Sequence, residues 1–285
     1  MTLLWIIVIL VSLVLLLERG IEKTYGYESP PHKNTPAKFE IPFEEIRIPA
    51  IDGGELYGWF IPTKADAPTL ILIHGWSRNV GRMMPYIRKL HPQGYNLLVF
   101  DARNHGSSTP TPHPSVGTFT EDVLSAVDFL GEKMSSSEIG LVGLSIGGGA
   151  SIAASGRDAR IKVAVTVGAL SSPIKVMRAQ FAEKHIPQFV GTLLFSFMRL
   201  RYGLDFKRIA PINLAPNAKA EIFLIHGEND KTIALEQAKD LLAANPERMR
   251  LWVVPEKGHS DCHFHPDFWE KVSAFLAENL PIDKD

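Results

Sequence analysis

Ile139-Gly140-Leu141-Val142-Gly143-Leu144-Ser145-Ile146-Gly147-Gly148-Gly149-Ala150-Ser151-Ile152-Ala153-Ala154-Ser155 is the stretch on which the fold turns. Its first six residues form a short apolar run, as expected of a strand buried on both faces. The run from Ile146 to Ser155 predicts a helix. Between them Gly143-Leu144-Ser145-Ile146-Gly147 fits the pattern G-x-S-x-G, in which a sharp strand-to-helix turn lifts a serine hydroxyl above the sheet. Small residues two positions to either side let the backbone bend that tightly, and Gly148 and Gly149 extend the crowded contact. A glycine-rich turn with an incidental serine is the plainer alternative. A phosphate-binding loop would need G-x-x-x-x-G-K-[ST] or G-x-G-x-x-G, and neither is present here. The turn nominates Ser145 as a nucleophile.

Working outward, similar short apolar runs occupy Thr69 to Ile73, Asn96 to Phe100, Ile161 to Val167, Glu221 to Ile225 and Arg248 to Val254. Segments of helical pattern separate them: Gly81 to His91, Phe119 to Lys133, Ile233 to Ala244 and Pro266 to Asn279. This alternation predicts a mostly parallel sheet with helices on both faces. Ahead of it, Glu44 to Pro49 and Leu56 to Ile61 flank the turn cluster Asp52-Gly53-Gly54 and predict a hairpin. In the helix over 119–133, Thr118 stands three residues before Glu121 as a capping box. The rhythm lapses from Ser171 to Pro216, where Phe181, Phe189, Leu193, Phe195 and Phe197 lie among scattered cations. A small helical cap inserted over the sheet's C-terminal edge is expected there.

Composition sets broad limits. With 285 residues, 45% hydrophobic and 21% charged, the chain can bury one sizeable core. A net charge of −1 supplies no basic field for nucleic acid. One cysteine, Cys262, excludes an intramolecular disulfide and leaves the compartment open.

The N-terminus departs from this average. Leu3 to Leu17 is apolar except at Ser12 and carries no charge. Residues 1–21 are therefore read as a single-pass transmembrane anchor, short for a hydrocarbon core of about 30 Å. A cleaved signal peptide is the rival reading, but no Lys or Arg precedes the run and no small-x-small site follows it. A buried core helix fits poorly, because a helix in a soluble core normally keeps a polar face. Arg19, Lys23, Lys33 and Lys38 all follow the run, so the positive-inside rule puts the catalytic domain on the cytoplasmic side. Residues 22–38, with Pro30, Pro31 and Pro36, read as an extended linker, and residues 39–285 as the catalytic domain.

Four blocks in order complete the pattern: His74-Gly75-Trp76; Asp101-Ala102-Arg103-Asn104-His105-Gly106-Ser107-Ser108; the Ser145 turn; and the pair Asp230 and His259. Through them the sequence resembles the α/β-hydrolase superfamily, and within it the serine esterase, monoglyceride lipase and serine aminopeptidase-like branch, over about residues 40 to 280. The second block departs from the usual pattern at Asn104, where glycine is customary. The resemblance implies an α/β-hydrolase fold and assigns Asp230 as the acid and His259 as the base. A serine hydroxyl is a weak nucleophile at neutral pH, so it needs a base to take its proton and a carboxylate to orient that base. Glu228 is the alternative acid, two residues before the usual position. The N–H of Ile146, after the nucleophile, is one expected oxyanion donor, and the resemblance supplies the N–H of Trp76 as the other. Trp76 is also placed to wall the acyl pocket.

His74, Asp101 and Asp128 are read as structural. In His259-Ser260-Asp261-Cys262-His263-Phe264-His265 the donor types suit a metal, but the spacing matches neither H-E-x-x-H nor a paired-cysteine motif. His263 and His265 are expected at the pocket rim or the start of the last helix. The chemistry so described requires no cofactor and no metal. The expected substrate is a small ester or other acyl compound, apolar in character given the residues of the cap. A thioester, a short peptide, acyl transfer to another acceptor, and a catalytically silent membrane-tethered module are the alternatives.

Overall fold

The computed structural model describes residues 2–25, 31–51, 53–133 and 138–282. Eight strands form one sheet in the order β1-β2-β4-β3-β5-β6-β7-β8. They are β1 (Glu44–Pro49), β2 (Glu55–Ile61), β3 (Thr69–Ile73), β4 (Asn96–Phe100), β5 (Ile139–Leu144), β6 (Ile161–Val167), β7 (Glu221–Gly227) and β8 (Met249–Val254). β1 pairs antiparallel with β2, and β2 with β4, while every later pairing is parallel. The expected hairpin and mostly parallel sheet are thus both present. In the hairpin turn, Asp52 lies outside the described residues.

Nine α-helices accompany the strands among the described residues. α1 (Thr2–Tyr25), α2 (Met84–Leu90), α3 (Val116–Lys133), α4 (Ile146–Ser155) and α5 (Pro173–Glu183) come first. α6 (Gln188–Tyr202), α7 (Pro211–Leu214), α8 (Leu235–Ala244) and α9 (Phe268–Asn279) follow. Alternate side chains of one strand serve opposite faces of the sheet. Ile71, Ile73, Leu98 and Leu141 pack with α3, α4 and α8, whereas Leu70, Leu72, Val99 and Val142 pack with α2 and α9. Two apolar cores result, one on each side.

Two local expectations differ from the structure. Thr118 does not cap α3: the helix begins at Val116, and the Thr118 N–H points at Ser115 Oγ, 3.4 Å away. Glu121 is drawn instead to Arg103, whose guanidinium it meets at 2.8 Å. The linker is also shorter than expected. α1 continues to Tyr25, and Pro36–Phe39 winds into a 3₁₀ turn with Pro36 buried. Between them His32 stacks on Tyr57 at 4.9 Å and reaches Asp101 Oδ2 at 2.7 Å, fastening this segment to the sheet. Residues 26–30 of the expected linker lie outside the described residues.

The expectation of a transmembrane span needs correction. Among the described residues, no helix is long and apolar enough to cross a membrane. The apolar run ends at Leu17, and at 1.5 Å per residue it covers about 22 Å against a core of about 30 Å. The turns that would have to complete a span are committed to protein. Glu18 pairs with Arg201 at 2.8 Å, and Ile21 is buried against Phe195, Met198 and Phe206. Met1, which was to contribute at the other end, lies outside the described residues.

Candidate active site

The strand order reverses between β3 and β5. β4, next in the chain after β3, lies to one side of it, and β5 to the other. In open α/β sheets a crevice opens at such a point, outside the carboxyl ends of the strands. Gly75 and Trp76 follow β3 and Ser145 follows β5, so both reach this crevice. A Cβ added to Gly75 would stand 3.4 Å from the Cβ of Ser145.

Ser145 has φ 56° and ψ −119°, a left-handed conformation that a side chain seldom adopts. Its N–H donates to Val167 O at 2.8 Å, and its carbonyl accepts from Gly149 N at 3.0 Å, which holds the turn in place. The tight bend leaves no room at its flanks: a Cβ on Gly143 would lie 2.4 Å from Gly147 O.

His259 and Asp230 converge on this serine from β8 and β7. Ser145 Oγ lies 2.9 Å from His259 Nε2, and His259 Nδ1 lies 2.7 Å from Asp230 Oδ2. With Nδ1–H donating to the carboxylate, Nε2 is left as the acceptor for the serine proton. The Asp230 side chain is fully buried, which alone would push its carboxyl up. Hydrogen bonds from His259, from Ile233 N–H and from Thr232 N–H outweigh burial and hold it below the ordinary value. Glu228, the alternative acid, is exposed and accepts from Glu256 N at 3.0 Å, away from His259.

α4 begins at Ile146, so the Ile146 N–H is among those with no acceptor inside its own helix. Trp76 walls the cavity beside Ser145 together with Leu144 and Val167. His74 is wholly buried at the end of β3. Its Nδ1 donates to Gly75 O at 2.7 Å, and its Nε2 accepts from Ala102 N at 3.0 Å. Burial lowers its pKa, so it stays neutral and supports the loop that carries Trp76. Asp101 accepts from Val80 N at 2.7 Å and Ser107 N at 2.9 Å as well as from His32, and Asp128 pairs with exposed Arg160. His263 lies against Tyr86, and His265 Nδ1 accepts from Asp267 N at 3.3 Å at the start of α9. Among the described residues, no group of three or more His, Cys, Asp or Glu is placed to hold a metal.

The departure at Asn104 is accommodated. Asn104 has φ 68°, the left-handed region that glycine usually serves and that asparagine tolerates better than other side chains. Sequence reasoning missed four contributors. Gly168, at φ 61°, leaves room for His259 and Asp230: a Cβ there would stand 3.0 Å from His259 Nδ1 and 3.4 Å from Asp230 Oδ2. His226 is buried, donates from Nε2 to Ile233 O at 2.8 Å and lies 3.4 Å from Asp230 Oδ2. Arg78 and Arg82 border the cavity beside Ser145. Gly168 has a local signal, as the glycine directly after β6; the arginines have none, because only the fold brings them to Ser145. The insertion over 171–216 forms α5 and α6 as expected, yet none of its residues lines the cavity.

Residues 70–272 match the Alpha/beta hydrolase family. The chain belongs to that family. It is 28% identical over 269 residues to the uncharacterized protein YfhR of Salmonella typhimurium, covering 90% of this α/β hydrolase and 87% of that protein. It is also 28% identical to the thiohydrolase aneE of Aspergillus aculeatus over 157 residues, 53% of this chain and 48% of that one. Among solved structures, the Pyrococcus furiosus esterase Pf2001 superposes with a TM-score of 0.72 at 23% identity, covering 89% of this chain and 98% of that chain. That likeness concerns the fold.

Proposed function

We propose that this α/β hydrolase is a serine esterase that cleaves a carboxylic ester through an acyl-enzyme. The observation that carries the reading is the continuous line of 2.9 Å and 2.7 Å contacts from Ser145 Oγ through His259 to Asp230. In the first step His259 Nε2 takes the hydroxyl proton as Oγ attacks the carbonyl carbon. Asp230 stabilises the imidazolium, and the N–H groups of Ile146 and Trp76 receive the oxyanion. His259 then protonates the leaving alcohol. Water, deprotonated by the same nitrogen, attacks the acyl-enzyme and releases the acid. The acyl group lies against Trp76, Leu144 and Val167.

A p-nitrophenyl ester tests this directly. The expected result is a burst of nitrophenolate stoichiometric with enzyme wherever deacylation is the slower step. Loss of Ser145 or His259 should each remove nearly all turnover, and their double loss little more, because residues acting as one unit are strongly non-additive. Additive losses, or a folded Ser145→Ala variant that still turns over, would refute the assignment. A thioester is the second reading, favoured by the likeness to a thiohydrolase. Relative kcat/KM on matched oxygen and sulfur esters separates the two.

For its setting we propose the cytoplasmic face of an anionic bilayer, engaged from one side. Leu4, Trp5, Val8 and Ile9 of α1 are exposed, as are Phe189, Leu193 and Leu200 of α6, on which α1 docks. The stretch 171–216 carries seven Lys and Arg against two acidic residues, a balance suited to a negatively charged leaflet. Co-flotation with anionic vesicles but not with neutral ones is the expected result; equal flotation, or none, would refute it.

A further inference from the structure

The cavity beside Ser145 is small, about 210 Å³, and its lining is divided. Trp76, Leu144 and Val167 form an apolar wall, while Arg78 and Arg82 border it with cations. Among the described residues, no acidic side chain lines the cavity to neutralise them. Asp230 is already satisfied by His259, Thr232 N–H and Ile233 N–H. Asp261, beside lining residue Ser260, turns its Oδ1 to Gly258 N at 2.7 Å. Arg82 is half-buried and spends one N–H on Ser260 O at 3.2 Å. Among the described residues Arg78, exposed at the mouth, is in no hydrogen bond or ion pair. A guanidinium has five N–H donors in a planar fork that matches carboxylate and phosphate oxygens, so most of this donor capacity is unspent.

We propose that Arg78 and Arg82 make the site selective for a short-chain ester or thioester bearing an anionic group, carboxylate or phosphate, a few atoms from the scissile carbonyl. This rests on the esterase reading of Ser145 and adds the class of substrate. The cavity falls below the roughly 300–1,000 Å³ usual for drug-sized ligands, so the acyl chain it accepts is short. The apolar wall takes the chain, and the arginines take the charge. Charge-assisted, bidentate contacts of this kind discriminate by about ten- to a hundredfold against an uncharged analogue.

The test uses two matched ester pairs on the full-length chain. p-Nitrophenyl hemiglutarate against its neutral methyl ester places the charge on the acyl side. 4-Carboxyphenyl butyrate against its methyl ester places it on the leaving group, and a 4-phosphonophenyl butyrate arm distinguishes phosphate from carboxylate. The expected result is a kcat/KM preference for the anionic member of at least one pair of about tenfold or more, shrinking in high salt. Arg78→Gln and Arg82→Gln should each cut that ratio severalfold, and Arg82→Lys should restore part of it. Arg248→Gln, which removes a cation just before β8 that pairs with Glu221, should leave the ratio as it was. Equal rates within both pairs, or ratios that survive both Gln variants, would overturn the proposal. Calorimetric binding of glutarate or inorganic phosphate to Ser145→Ala gives a readout independent of catalysis. Binding there that Arg78→Gln does not weaken would also overturn it. Failure of Ser145 to react with a fluorophosphonate sinks the esterase reading, whereas intact reaction without anion preference sinks this inference alone.

Discussion

Replacing Gly168 by alanine should damage catalysis far more than it damages the fold. The residue adopts φ 61°, so any Cβ incurs the left-handed penalty of about 1–2 kcal/mol. For a chain of this size that lowers the melting temperature by about 2–4 °C per kcal/mol. The added methyl would also stand 3.0 Å from His259 Nδ1 and 3.1 Å from its Cε1, tighter than about nine in ten real Cβ contacts. The ring must give by a few tenths of an ångström, and its hydrogen bonds to Asp230 and Ser145 must adjust with it. A misplacement of about 1 Å near reacting groups costs on the order of 10²-fold, so a loss of roughly tenfold or more in kcat is expected from this smaller shift. Gly53→Ala provides the comparison, since φ there is 86° and nothing lies within 4 Å of the added Cβ. It carries the backbone penalty without the steric one. Thermal melts of both variants and kcat on a p-nitrophenyl ester complete the assay. Comparable losses of stability with a kcat loss confined to Gly168→Ala are expected. Equal kcat in the two variants would refute the reasoning.

Further outcomes follow from the same geometry. Because the Asp230 carboxyl is held below its ordinary value, its ionised form stabilises the fold above about pH 4, and that contribution is lost as pH falls through the native value. Asp230→Asn should therefore be less stable than wild type in urea at neutral pH, with the gap closing in acid; a gap that widens in acid would contradict the shift. Asp101→Ala leaves the buried Val80 N–H without its acceptor and frees half-buried His32 and the Ser107 N–H, and about 1–3 kcal/mol of stability should be lost. A change under 1 kcal/mol in urea unfolding, roughly that of an exposed ion pair, would show the network to be unimportant. The Cys262 thiol is buried and pushed up to about 12 by desolvation, so Ellman's reagent should find no reactive thiol in the native protein and one after unfolding.

Legibility in the sequence followed the distance over which each feature is determined. Strands buried on both faces leave continuous apolar runs, so β3 through β8 were readable to within two residues. The Ser145 turn is readable because its constraint is local: Gly143 and Gly147 are small for the sake of each other. The α3 cap was misread because Ser115 and Thr118 both suit the position, and the choice between them depends on Arg103 drawing Glu121 away. Likewise the hydropathy of Leu3 to Leu17 carried no sign that Glu18 and Ile21 belong to a contact with α6. Asn104 departs from the family habit, and the structure gives its reason in a single dihedral angle. Arg78 and Arg82 follow β3 by only a few residues, yet their meaning lies in facing a serine from β5 and a histidine beyond β8. No local pattern records that meeting.

We propose Ser145 as the activated nucleophile. Labelling the native chain with a fluorophosphonate and locating the adduct by peptide mass spectrometry measures it most directly. One adduct on Ser145, absent from Ser145→Ala and formed far more slowly in His259→Ala, is the result expected. An adduct on any other residue, or no adduct on a folded wild-type chain, would contradict the account.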